Sequence, residues 1–137
     1  MIAFDLDGVF LSELAHDTDL ELERVLAVRT ENILPIFRIR FPYYIITGRP
    51  KIDEEDTLRW INTVFEPEER PKRVFHDNPN FSKPIDYKVS VLRAHREITT
   101  FVESSVEQAE QVSKLVPECR VLHFEAMIAP IFTELKE

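Results

Sequence analysis

Two aspartates near the N-terminus have the residue type and the spacing that chemistry requires. Asp5 and Asp7 follow a short apolar run, and Gly8 comes directly after them. A simple turn would explain an Asp-Gly pair, whereas an EF-hand calcium loop places its glycine later in the ligand pattern. Two carboxylates at the end of a buried strand repel each other, and a bound cation would relieve that repulsion. The pair therefore favours a functional site over a turn alone.

A second polar group, Thr47, Gly48 and Arg49, follows another apolar run. A threonine at a strand end often only caps a turn. In a parallel sheet, however, its hydroxyl and the next backbone N–H would face the same crevice as Asp5. Arg49 would add a planar cation that suits phosphate. The chain contains two glycines, Gly8 and Gly48, and their placement after these two runs favours one shared site.

Two lysines are candidates for binding an anion at that site. Lys88 lies near the start of a predicted helix, where a positive charge opposes the helix dipole, so we interpret it as serving an anion. Lys83 is the rival in the preceding loop, and either side chain could instead be solvated.

Glu103 ends another apolar run and precedes Ser104 and Ser105. Ser105 is predicted to cap the next helix, with Gln108 in the capping-box position. That cap does not explain Glu103, whose carboxylate would complete a magnesium site with Asp5.

Strand and helix patterns alternate along the chain, which predicts an α/β fold with a parallel sheet and right-handed crossovers. The predicted strands cover residues 1–4, 43–46, 73–76, 99–102 and 120–124. The predicted helices cover residues 20–29, 53 or 56 to 65, 86–95 and 106–115, with a helical turn at 32–37 and a closing helix or turn from residue 127. Because parallel strands end at the same edge, the polar groups would meet there.

The composition limits the classes of function. The length of 137 residues predicts one domain, and the single cysteine, Cys119, excludes an intrachain disulfide and a Cys-rich zinc site. The net charge of -8 argues against electrostatic binding of nucleic acid, although residues 70–73 carry a local basic cluster. We expect a cytoplasmic protein without a membrane partner, because neither a transmembrane pattern nor a signal-peptide pattern is present.

Taken together, the four polar groups resemble the motifs of the haloacid dehalogenase (HAD) superfamily of phosphatases. The matching segments are FDLDGV at 4–9, IITGR at 45–49, Lys88 before a helix, and FVESS at 101–105. They follow the family's order over the whole chain. The resemblance implies a Rossmann-like three-layer α/β/α sandwich whose five parallel strands are ordered 5-4-1-2-3.

The resemblance also implies the chemistry. Asp5 would attack phosphorus to form an aspartyl-phosphate, and Asp7 would protonate the leaving oxygen and then activate water. Mg²⁺ would be bound by Asp5, by Asp7 through its backbone carbonyl, and by the Glu103-Ser104 pair. The phosphate-binding residues would be Thr47, Gly48, Arg49 and Lys88.

Two departures from the family pattern leave alternatives open. Ser104 stands where these phosphatases usually carry an acid, so a weakly active or silent protein that binds a phosphorylated ligand or partner is the alternative. The serines also resemble those of metal-free dehalogenases, but those enzymes replace the second aspartate, and Asp7 is present. The gaps between motifs hold no cap domain, which implies an open site for a bulky phosphate ester, or a site covered by another subunit of a homo-oligomer. Phosphatase modules that process polynucleotide ends are similar in their TGR loop.

Overall fold

The computed structural model describes residues 1–11, 34–79 and 83–124. Its strands are β1 (Ile2–Phe4), β2 (Tyr43–Ile46), β3 (Arg73–Phe75), β4 (Thr100–Glu103) and β5 (Arg120–His123). The α-helices of this part are α1 (Glu54–Val64), α2 (Pro84–Ala94) and α3 (Val106–Leu115), and short 3₁₀ turns cover Lys51–Asp53 and Pro67–Glu69.

The five strands form one parallel sheet, in the order β3-β2-β1-β4-β5. Counted from the opposite edge, this order is 5-4-1-2-3. The α/β class and the five-stranded parallel sheet are therefore confirmed. Phe4 pairs with Ile45 on one side and with Val102 on the other, so Asp5 and Glu103 follow at neighbouring strand ends.

Apolar side chains cover both faces of the central strands, as expected for a buried parallel sheet. On one face, Phe4, Ile45 and Val102 join a buried cluster that includes Trp60 and Ile61 of α1. The other face carries a second cluster, with contributions from both remaining helices, and its members include Ala3, Ile46, Phe101, Val89, Leu92 and Val112. Helices thus pack on both faces of the sheet.

An aromatic cluster fixes the segment that follows β1. The ring of Phe10 stacks on Phe37 at 4.7 Å and on Tyr43 at 5.8 Å between centroids, and it meets Phe4 edge-on at 5.7 Å. The carbonyl of Leu6 accepts hydrogen bonds from the N–H groups of residues 9–11. The loop that carries the two aspartates is therefore fixed by the buried ring of Phe10 and by the hydrogen bonds to the Leu6 carbonyl.

The predicted strands lie within one residue of the observed ones, and α3 has the predicted bounds. One interpretation was wrong: α2 begins at Pro84, so Lys88 lies in its second turn and the first-turn dipole argument does not apply. Residues 34–37 of the predicted turn at 32–37 are not helical. The helix at 20–29, the rest of that turn and the closing segment from 127 lie outside the described residues. Within the described part, every helix is too short or too polar to traverse a lipid bilayer.

Candidate active site

The carboxyl ends of β1, β2 and β4 bring the polar groups of the sequence together. Asp5 continues the ladder beyond β1, since its N–H donates to Val102 O at 2.9 Å. Thr47 does the same beyond β2, with its N–H donating to Phe75 O at 3.1 Å. Both side chains are buried, and so is Glu103 at the end of β4.

Asp5 has donors on both of its carboxylate oxygens. The N–H of Leu6 donates to Oδ1 at 2.9 Å, and the Ser104 hydroxyl donates to Oδ2 at 3.1 Å. The Lys88 ammonium lies 3.4 Å from the same Oδ2. Burial first, and then the nearby Glu103 carboxylate, raise the pKa of Asp5 well above its usual range, although Lys88 opposes this shift.

The ammonium of Lys88 contacts both Asp5 and Glu103, which lie at the ends of the neighbouring strands β1 and β4. Its Nζ donates to Glu103 Oε2 at 2.8 Å and to Gln108 Oε1 at 2.9 Å, and the side chain is 3% exposed. Burial alone would lower the pKa of Lys88, but the carboxylates of Asp5 and Glu103 outweigh it and raise that pKa. The ammonium therefore stays charged and is shared between two buried acids. Lys83, the rival lysine, is exposed at the start of α2.

The second oxygen of Glu103 is used by the main chain. Its Oε1 accepts the N–H groups of Ser104 at 3.2 Å and Ser105 at 3.3 Å. Ser105 caps α3 as predicted, because its hydroxyl accepts from Gln108 N at 3.3 Å. The Gln108 side chain, however, points to Lys88 instead of closing a capping box. Glu103 is thus turned toward Lys88 and the start of α3.

The hydroxyl of Ser104 lies between two oxygens of the aspartate loop. Ser104 Oγ is 3.1 Å from Asp5 Oδ2 and 3.0 Å from the carbonyl oxygen of Asp7. The carbonyl of Ser104 is fixed in turn by His123, whose Nε2 lies 3.0 Å away and donates to it. These contacts place the Ser104 hydroxyl where two potential cation ligands converge.

Arg49 holds the second aspartate with two hydrogen bonds. Its Nε donates to Asp7 Oδ2 at 2.8 Å and its Nη2 to Oδ1 at 2.6 Å. Arg49 is 2% exposed, whereas the Asp7 side chain is 25% exposed and reaches solvent. Since the guanidinium faces Asp7, its role in phosphate binding stays a prediction.

A buried hydrogen-bond network fixes the part of the Arg49 guanidinium that does not contact Asp7. The third guanidinium nitrogen, Nη1, donates to Thr57 Oγ1 at 3.0 Å, and that hydroxyl donates to Asp53 O at 2.9 Å. Because a hydroxyl carries one proton, the Nε2 of His76, 3.0 Å from Thr57 Oγ1, must be the donor of the remaining bond. His76 therefore serves in orienting Arg49.

The two glycines are required for different structural reasons, one for its backbone conformation and the other for a close contact. Gly8 adopts φ 82°, which a residue with a side chain rarely tolerates. A Cβ on Gly48 would overlap the Cβ of Pro84 and would lie 3.6 Å from Cε of Lys88. Gly48 thus allows the loop after β2 to touch the start of α2, which brings Lys88 to Asp5. Thr47 stands beside it, and its hydroxyl accepts from Arg49 N at 3.2 Å.

The donor set suits a small hard cation in part. Oxygens of Asp5, of the Asp7 carbonyl and of Ser104 lie together, and Mg²⁺ prefers oxygen ligands, often few from the protein and the rest from water and phosphate. Among the described residues, no three side chains of Asp, Glu, His or Cys are grouped to hold a metal ion. The fit is therefore to a cation bound by one carboxylate, a carbonyl and a hydroxyl.

Sequence reasoning missed the residues that hold the site in place. Gln108 accepts a hydrogen bond from Lys88, and His123 donates one to the carbonyl of Ser104. Thr57 accepts from Arg49 and is itself in contact with His76. Gln108 and His123 carried a signal, because the first follows the predicted cap and the second lies near the end of the predicted strand at 120–124, at the same edge of the sheet. Nothing in the sequence pattern linked Thr57 to Arg49.

In comparisons with known proteins, no family model, no curated protein and no solved structure matches this chain.

Proposed function

We propose that this chain is a HAD-like phosphohydrolase that cleaves a phosphate ester with Asp5 as the nucleophile and Mg²⁺ as the cofactor. The observation that carries the proposal is the Asp5 carboxylate itself. It is buried at the switch point of a parallel sheet, with Lys88 and the Ser104 hydroxyl on one oxygen and a backbone N–H on the other. Such a fixed carboxylate suits attack on phosphorus better than it suits a turn.

Asp7 is the proposed general acid and base. Its carboxylate is the more exposed of the two aspartates, so it can reach both a leaving oxygen and an incoming water. The two hydrogen bonds from Arg49 fix its direction. Lys88 and Thr47 would orient the phosphoryl oxygens beside Asp5.

The charges at the site explain why a cation is part of the proposal. With all acids ionised, Asp5, Asp7 and Glu103 face two cations, Lys88 and Arg49, which leaves an excess of negative charge. When bound by Asp5, the Asp7 carbonyl and Ser104, Mg²⁺ would offset the repulsion between this cluster and a phosphoryl dianion.

The proposal is tested by hydrolysis of an aryl phosphate with and without magnesium. Asp5→Asn keeps the size of the side chain but removes the nucleophile, so turnover should fall about a thousandfold or more. Asp77→Asn is the matched control, because Asp77 is an exposed aspartate after β3 that pairs with Lys51, and it should retain turnover. Wild-type rates in the Asp5 variant would contradict the assignment.

One observation favours a second candidate, a silent HAD-like protein that binds a phosphorylated ligand or partner. The Ser104 hydroxyl lies within hydrogen-bond distance of both Asp5 Oδ2 and the Asp7 carbonyl oxygen and can donate its one proton to either, so it already contacts the two oxygens that a cation would use. This candidate predicts that phosphorylated compounds bind without being hydrolysed at any magnesium concentration. Product release in the aryl phosphate assay separates it from the enzyme.

A further inference from the structure

We propose that Mg²⁺ and a phosphate group bind this site cooperatively, each raising the affinity of the other, because Ser104 offers the cation a neutral hydroxyl where a carboxylate would add a negative charge. The inference rests on the proposed function for the location of the phosphate. It goes further by stating how the affinities of the two ligands depend on each other.

A cation alone finds few charged ligands here. Of the three acids, Glu103 has one oxygen on Lys88 and the other on two backbone N–H groups. The Asp7 carboxylate is held by Arg49. Asp5 Oδ2 is the charged oxygen that faces the cation position, and it is shared with Lys88. Mg²⁺ gives up water reluctantly, so one shared carboxylate, a carbonyl and a hydroxyl bind it weakly.

Phosphate alone is opposed by charge. The two cations of the site, Lys88 and Arg49, are both in contact with acids at 2.8 Å or less. A dianion would therefore meet an environment with an excess of carboxylate.

The two ligands together remove both obstacles. Phosphate oxygens supply the negative ligands that the cation lacks, and the cation supplies the positive charge that the phosphate lacks. To bind, the pair has to displace the Ser104 hydroxyl from at least one of its two acceptors. Coupling of this kind is reciprocal, so each ligand tightens the other by the same factor.

Calorimetric titration of the whole chain with MgCl₂, in the absence and presence of saturating inorganic phosphate, tests the inference. We expect the magnesium affinity to rise about tenfold or more when phosphate is present. The reverse titration, phosphate with and without magnesium, should show the same factor.

Two variants make the test specific to Ser104. Ser104→Asp places a carboxylate between Asp5 and the Asp7 carbonyl, so it should bind magnesium without phosphate and show a smaller coupling factor. Ser105→Asp adds the same charge one residue later, where aspartate still caps α3, and it should behave as the wild type does.

Equal magnesium affinities with and without phosphate in the wild type would overturn the inference, as would no binding with both ligands at millimolar concentration. The same change in Ser105→Asp as in Ser104→Asp would also overturn it, since charge alone would then be the cause. Coupled binding without hydrolysis of an aryl phosphate would instead leave the inference standing and refute the proposed enzyme. Hydrolysis without coupling would do the opposite.

Discussion

Two buried carboxylates, one at each end of the sheet, have opposite electrostatic surroundings. Glu69 lies beside the amino end of β2, where Tyr43 Oη donates to its carbonyl at 2.7 Å. Its carboxylate accepts from Arg38 Nη1 at 2.9 Å and from Glu66 N at 3.0 Å. Asp5 lies at the carboxyl end and has one ammonium, which it shares with Glu103.

The pKa values of the two acids shift in opposite directions for that reason. Burial alone would raise the pKa of Glu69, but the Glu66 N–H and the guanidinium of Arg38 outweigh it and lower that pKa. At Asp5, burial and the second acid outweigh Lys88, and the pKa rises. Two guanidinium groups, those of Arg38 and Arg40, serve one acid at the amino end, whereas one ammonium serves two acids at the carboxyl end. Such a deficit reduces stability and leaves acidic groups ready for a ligand.

The largest expected effect comes from removing the shared cation. Lys88→Met leaves the buried acids Asp5 and Glu103 without their ammonium, and loss of one partner from a buried ionic cluster costs about 3–5 kcal/mol. Urea unfolding at pH 7 measures this loss. It should shrink in acid, where the Asp5 carboxylate becomes protonated.

Lys83→Met is the control for this change, because Lys83 is exposed at the start of the same helix. Its effect should stay within about 0.5 kcal/mol. A Lys88 variant as stable as this control would show that the carboxyl-end acids are not held by their cation, and the contrast with Glu69 would fail.

The fold was predictable because the sequence marks strand ends strongly. Three apolar runs end immediately before Asp5, Thr47 and Glu103. Because the strands pair in parallel, these three residues must lie at the same edge of the sheet. The gathering of Asp5 and Glu103 follows from this rule alone.

The orientations of side chains were not predictable in the same way. Arg49 and Asp7 are 42 residues apart in the sequence, and their contact depends on how two loops pack. The Gln108 side chain was predicted to close a capping box with Ser105, at the start of its own helix. It accepts instead from the buried ammonium of Lys88, which is a stronger hydrogen-bond donor because it is charged. Tertiary contacts of this kind override local patterns.

A smaller effect, with the opposite sign, is expected when the excess acid is removed. Asp5→Asn at pH 7 should stabilise the chain by roughly 0.5–2 kcal/mol, because Lys88 and Glu103 then form a balanced pair. The raised folded pKa of Asp5 means that wild-type stability falls as the pH rises from the unfolded value of 3.8 through the folded one. The gain should therefore grow with pH and vanish in acid. Thermal unfolding of both proteins from pH 3.5 to 8 measures it, and a destabilised variant at pH 7 would contradict the idea of an excess charge.

At the amino end of the sheet, the contribution of the Tyr43 hydroxyl can be measured by removing it and comparing the result with removal of the Tyr44 hydroxyl. Burial and the nearby Glu69 raise the pKa of Tyr43, so its hydroxyl remains a donor. Tyr43→Phe removes the buried bond to the Glu69 carbonyl and should cost about 1 kcal/mol in urea unfolding. Tyr44→Phe is the control, because the hydroxyl of Tyr44 makes no hydrogen bond within the part of the chain that the structure describes. Equal losses in the two variants would mean that the Tyr43 bond contributes nothing specific.

The smallest effect is expected from Glu69→Gln. The amide oxygen still accepts from Glu66 N and Arg38, and Arg40 is already 74% exposed, so only the charge is lost. The lowered folded pKa of Glu69 stabilises the chain above the unfolded value of 4.5, and this contribution is lost as the pH falls through the folded value. Thermal unfolding should show a small loss at pH 7 that disappears in acid. Asp5→Asn and Glu69→Gln then differ in sign at neutral pH and converge with the wild type at low pH. Effects of the same sign at pH 7 would show that the two ends of the sheet are electrostatically alike, and that the shortage of cations around Asp5 and Glu103 is not what distinguishes the candidate site.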